Sequence, residues 1–173
     1  MRNSSIVKFG AIAGVAVVLW HLLFLSVDKK LYFEFGAQWG VLLFYILAMY
    51  LACRNEAKQS EGLFAWQPAL RTAFGTFVVA YLIAHVFYFV LFKFIDPGLI
   101  NLQAEILSEG IERSKDLLGE ENAWKMQDQY KAEDFKPTLQ KSAFSFAFGL
   151  IGGFILASIV AWTTYGKSAF NNK

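Results

Sequence analysis

Residues 72–92 read TAFGTFVVAYLIAHVFYFVLF, a run without one charged side chain in which only Thr72, Thr76, Tyr81, His85 and Tyr88 carry polar atoms. A helix rises 1.5 Å per residue, so roughly 20 such residues cross about 30 Å of hydrocarbon. The run lacks the strict polar alternation of a barrel strand, and no water inside a bilayer would satisfy open backbone groups, so a helix is the form it must take. Three further runs have the same character, Phe9 to Val27, Gly36 to Cys53 and Ala143 to Trp162, and none of the four contains a carboxylate. With 56% hydrophobic residues and 18 Phe in 173 residues, a soluble fold would have more apolar surface than one core could hide. The expected fold is therefore all-α: a polytopic membrane protein forming one membrane domain over 1–173, with four transmembrane helices and a polar segment, about 96–141, between the third and fourth.

Arg2 and Lys8 precede the first run as they would in a signal peptide. That run is long, however, and ends Leu25-Ser26-Val27-Asp28, without small residues at both positions a signal peptidase needs, so it is expected to be a retained anchor. Four spans put both termini on one side. Arg54, Lys58 and Arg71 lie between the second and third spans and Arg2, Lys8, Lys167 and Lys173 in the tails, whereas Lys29 and Lys30 are balanced by Asp28 and Glu34. This bias favours cytoplasmic termini. Cys53 is the single cysteine, so no disulfide forms within one chain.

The polar segment opens with Asp96-Pro97, a capping residue followed by proline at a first helical position, so the third span should end near Phe94 with a kink. Leu99, Leu102, Ile106, Leu107, Ile111, Leu117 and Leu118 then recur at spacings of three and four, opposite Glu105, Glu109, Glu112 and Lys115. That is an amphipathic helix. Gly119 is a natural stop, and Glu120-Glu121 suit the positive end of a second helix carrying Trp124, Tyr130 and Phe135 up to Pro137, which makes a hairpin. Leu102, Ile106 and Ile111 are the candidate docking stripe, for another copy or another membrane protein. The bland alternative is a stripe that packs on itself or lies at the lipid interface. From Lys93 to Lys141 ten acids face seven bases, so neither anionic headgroups nor nucleic acid are expected partners.

Within the spans, His21 and His85 lie about equally deep in helices that run the same way. If those helices touch, the imidazoles could share a proton, bind a metal or bond a tyrosine such as Tyr81 or Tyr88. The alternative is two histidines each satisfied by a local neighbour. Two histidines without a third ligand make a poor metal site. Gly10/Gly14, Gly36/Gly40 and Gly149/Gly153 are small-xxx-small pairs that allow close helix approach, and Ala157 extends the last of them. Trp39, Trp66, Trp162 and Tyr165 sit near span ends, where such rings anchor at the headgroups.

No phosphate-cradling glycine loop, paired histidine-glutamate zinc motif or glycine-flanked serine elbow occurs, and no span is broken by proline. No enzyme, cofactor or metal is therefore expected, and the leading reading is a non-enzymatic structural or accessory protein. The runner-up is a small transporter or channel made by an oligomer, with His21 and His85 in its path. The order of features also resembles a bacterial family of small four-span membrane proteins known only as a domain of unknown function. The resemblance rests on the basic start and Gly10 to Gly14; Arg54, then Gly62-Leu63-Phe64; the tyrosine-rich third span running into Phe94-Ile95-Asp96-Pro97; the charged helical segment; and Gly149 to Gly153, closed by Lys167. It implies a protein of the bacterial cytoplasmic (inner) membrane, and brings no catalytic residues.

Overall fold

A computed structural model of the chain describes residues 3–60, 64–129 and 135–166, and no strand occurs among them. In chain order the helices are α1 (Asn3–Val27), the one-turn α2 (Lys29–Tyr32), α3 (Phe35–Gln59), α4 (Trp66–Val90) continuing as a π-helical turn (Leu91–Ile95), α5 (Gly98–Arg113), α6 (Lys115–Leu118), α7 (Glu120–Gln129) and α8 (Leu139–Thr164). Four stretches are long and apolar enough to cross a membrane: Ser4–Val27, Phe35–Gln59, Trp66–Ile95 and Leu139–Thr164. They contain the four runs read from the sequence, each lengthened by a turn or more at one or both ends. Chain contacts divide the molecule into two compact units, Met1–Phe87 with Ala143–Lys173, and Tyr88–Ser142.

In the first unit α4 is the hub. A methyl group built on Gly10 of α1 would come 2.9 Å from the Thr76 carbonyl oxygen, and one on Gly14 3.1 Å from that of Ala80. At that range only glycine leaves room for the neighbouring backbone. On α8, Gly149 meets the Tyr81 ring and Gly153 the Phe77 ring. From α3, Tyr45 packs edge-on against Phe77 with centroids 5.2 Å apart, and the Cys53 thiol donates to the Ala69 carbonyl at 3.4 Å. The contact order makes α1 parallel to α4, and α3 and α8 antiparallel to it, as spans that alternate in direction require.

Between α1 and α3 the link is aromatic. Gly40 faces the Trp20 indole, whose Nε1 donates to the Ala37 carbonyl at 3.0 Å. The turn between these helices is tied by Asp28, which caps α2 by accepting from Lys30 N at 2.8 Å, and by Gln38 Nε2, which donates to the Tyr32 carbonyl at 2.6 Å. Gly36 has open space around it, so of the two glycines in that pair only Gly40 makes a close contact. Trp66, Trp162 and Tyr165 converge, with centroids 5.2 to 6.2 Å apart. Outward-facing Leu19, Leu43, Phe148 and Ile159 are exposed, as the lipid-facing side of a bundle requires.

In the second unit the π turn closes with Asp96 N donating to the Leu91 carbonyl at 2.8 Å, a five-residue step. Helix α5 starts one residue later than the sequence suggests: Asp96 has left the preceding helix at φ −140°, Pro97 is the capping position, and Leu99 N and Ile100 N donate to the carbonyls of Asp96 and Pro97. Leu99, Ile100 and Ile111 are buried together with Leu91, Phe92 and, on α7, Ala123. Gly119 ends α6 at φ +79°, a conformation that favours glycine, and lets α7 turn back on α5. The expected hairpin is thus formed, although Tyr130 lies outside the described residues.

Adjacent glycines on α8 test this packing. Gly153→Ala drives a methyl group into the Phe77 ring and is expected to lower stability by about 1–3 kcal/mol. Gly152→Ala has nothing within 4 Å to meet and should be neutral or mildly stabilising. Thermal unfolding of both variants in the same detergent distinguishes them.

Candidate functional site

The second span reads as ending at Cys53 because Arg54 and Glu56 interrupt the apolar run, yet α3 continues to Gln59. Steps of three and four residues return to one helix face, so Glu56 lands on the same side as Met49, Ala52 and Cys53 and is carried into the bundle. It is only 6% exposed, and its Oε1 is buried with no hydrogen-bond partner. Other polar side chains gather at the same level of the bundle. Asn55 Nδ2 donates to Ser5 Oγ at 2.9 Å, joining α3 to the start of α1. Thr72 and Thr164 are buried on α4 and α8, and the Thr164 hydroxyl turns back onto the carbonyls of Val160 and Ala161. Charge alone hid Glu56 in the sequence; its three-residue spacing from Cys53 was the signal that could have found it. A buried carboxylate with an unpaired oxygen is an acceptor for a proton or a cation.

The two histidines have separate surroundings. His21 lies 5.1 Å, centroid to centroid, from Tyr32, and its Nε2 is buried without a hydrogen-bond partner. His85 packs against Tyr81 at 5.6 Å and Phe146 at 5.5 Å, within an aromatic cluster that also takes in Tyr45 and Phe77. The pairs Gly10 with Val79 and Gly14 with Ile83 set the register of α1 against α4. In that register His21 falls five residues beyond the level of His85, roughly 7.5 Å along the axis. Among the described residues no group of three or more His, Cys, Asp or Glu could hold a metal ion. The packing glycines Gly10, Gly14, Gly149 and Gly153 all spend their close approach on α4 of the same chain.

On the hairpin, Ile111 is 4% exposed and Leu102 and Ile106 are half-buried, so the stripe is not an open surface. Leu117 departs from it. Ser114, at φ −94° and ψ 3°, breaks the helix between α5 and α6 and shifts its phase, leaving Leu117 91% exposed. Trp124 on α7 is 66% exposed. The basic residues of α5–α7 are each held by an acid: Arg113 by Glu109 at 3.4 Å, Lys115 by Glu112 at 3.4 Å, and Lys125 by Glu121 at 2.7 Å. Such exposed pairs are worth about 0–1 kcal/mol each. With seven acids against three bases over α5–α7, the net charge of these helices is negative.

A family model described as "Protein of unknown function (DUF4199)" matches residues 8–164 of the chain. None of the curated proteins and none of the solved structures matches it.

Glu56→Gln keeps the shape of the buried side chain and removes its formal charge. This variant should insert normally and unfold at a higher temperature than the parent, by about 2–4 °C for each kcal/mol of relieved desolvation. Thermal unfolding in detergent at neutral pH measures it, and a lower midpoint would show that the carboxylate is held by a partner.

Proposed function

The chain belongs to the DUF4199 family of proteins of unknown function, and from that starting point we propose that it is a non-enzymatic accessory protein of the bacterial cytoplasmic membrane, acting through the hairpin between its third and fourth spans. The observation that carries this reading is that Tyr88–Ser142 forms a compact unit of its own, with Leu99, Ile100 and Ile111 buried and its ion pairs exposed. Connections between helices in a bundle need only about 2–8 residues. A folded insert many times that length, closed by a glycine turn and carrying its own buried residues, is built to present a surface. Contact with a membrane-protein partner, or with another copy of the chain, is the role such a surface serves.

The orientation that goes with this reading has both termini and Arg54, Lys58 and Arg71 in the cytoplasm, and the hairpin on the opposite side. In a Cys53→Ala background, single cysteines at Lys58 and at Arg113 report it. A membrane-impermeant maleimide added to intact cells should label position 113 and leave position 58 unlabelled until the membrane is opened. The reverse pattern would place the hairpin in the cytoplasm.

A second reading, a small transporter or channel formed by an oligomer with His21 and His85 in its path, is favoured by two polar atoms buried without partners in membrane-crossing helices, His21 Nε2 and Glu56 Oε1. Its test is proton or cation flux into proteoliposomes. Loss of flux in His21→Ala, His85→Ala or Glu56→Gln at unchanged membrane content supports transport, and absence of flux above that of empty liposomes removes it.

A further inference from the structure

We propose that the α5–α7 hairpin binds a different protein, one that presents a basic surface with an apolar recess for Trp124 and Leu117. This rests on the accessory reading above and names the chemistry of the partner. Among the described residues, the large apolar side chains that α6 and α7 leave open are Leu117 and Trp124, on either side of the Gly119 turn. Tryptophan is a preferred anchor at protein contacts because one rigid ring brings a large apolar area and a donor at small entropic cost.

Charge selects the occupant. Over α5–α7 the acids are Glu105, Glu109, Glu112, Asp116, Glu120, Glu121 and Asp128, and the bases are Arg113, Lys115 and Lys125. All three bases are in ion pairs within the hairpin. The net field is therefore negative, with no basic side chain of these helices left over to meet an anionic partner. Anionic headgroups are repelled by such a surface. A metal ion does not account for it, because no group of three or more candidate ligands comes together among the described residues.

A second copy of the chain does not fit either. In the orientation proposed above, four crossings would put the 28–34 connection on the hairpin's side of the membrane, and Arg54, Lys58, Arg71 and both termini on the other. What another copy offers on the hairpin's side is the 28–34 connection, where Lys29 and Lys30 are offset by Asp28 and Glu34, and a 93–141 segment in which ten acids outweigh seven bases. Neither is net basic, so a cationic surface on that side comes from another chain. Opposite charge would steer it to the hairpin, and the exposed indole and leucine would hold it there.

The experiment uses the full chain in its native membranes, with a photoreactive amino acid in place of Leu117 and crosslinks identified by mass spectrometry at rising salt. The expected result is a crosslink to one other protein, with a yield that falls at least about tenfold between 0.05 and 0.5 M salt as screening shortens the reach of the charges. Trp124→Ala, a change at an exposed position, should reduce the yield at low salt by a similar factor. A crosslink to another protein that ignores salt would overturn the basic surface and leave the accessory reading standing. Crosslinks only to copies of this chain would overturn the different partner and leave the accessory reading standing, and crosslinks only to lipid would overturn both.

Discussion

Close approach of backbones to α4 is the constraint on which the bundle depends. Lipid tails are as apolar as leucine, so helices in a bilayer are not pushed together by the hydrophobic effect and must gain from direct packing. Here that packing is made by glycines: Gly10 and Gly14 of α1 come up against the Thr76 and Ala80 carbonyls, and Gly149 and Gly153 of α8 receive the rings of Tyr81 and Phe77. The third side of α4 is met by Tyr45 and Cys53 of α3. Large rings on α4 fit opposite missing side chains on its neighbours, and buried alanines such as Ala73, Ala80 and Ala157 keep the remaining surfaces close. A dispersion contact falls off within an ångström, so this arrangement holds only while those positions stay small.

Polar groups inside the bundle are handled locally for the most part. Thr76 and Thr164 return their hydroxyls to carbonyls of their own helices, and Trp20 spends its single donor on Ala37. Glu56 Oε1 and His21 Nε2 break that pattern. They sit toward opposite ends of the bundle, Glu56 beside the start of α1 and His21 beside the turn that follows it.

The hairpin follows a different physical rule. Water is available around it, so apolar burial drives its folding, with Leu99, Ile100, Ile111 and Ala123 inside and ion pairs outside. Two backbone events shape it. The π turn at Leu91–Ile95 and Pro97 end the third span, and Gly119 at a positive φ reverses the chain. Ser114 adds a smaller break, whose consequence is that one leucine of the sequence stripe faces outward.

Hydropathy and helix punctuation are properties of neighbouring residues, and what they control was legible in the chain: four spans, the third ending within a residue of Phe94, the amphipathic stripe, and a turn at Gly119. Charge was the misleading signal at the end of α3, where Arg54 and Glu56 ended the apolar run while the helix went on. Tertiary structure decided what depends on a second helix. It assigned the glycines to α4, set His21 and His85 five residues apart in the α1–α4 register, carried Glu56 into the core and turned Leu117 out of the stripe. The physical reason is range. A run of apolar residues specifies where a helix crosses the membrane, but the face it shows to its neighbours follows from contacts between residues far apart in the chain, and a one-residue change of phase turns a side chain by about 100°.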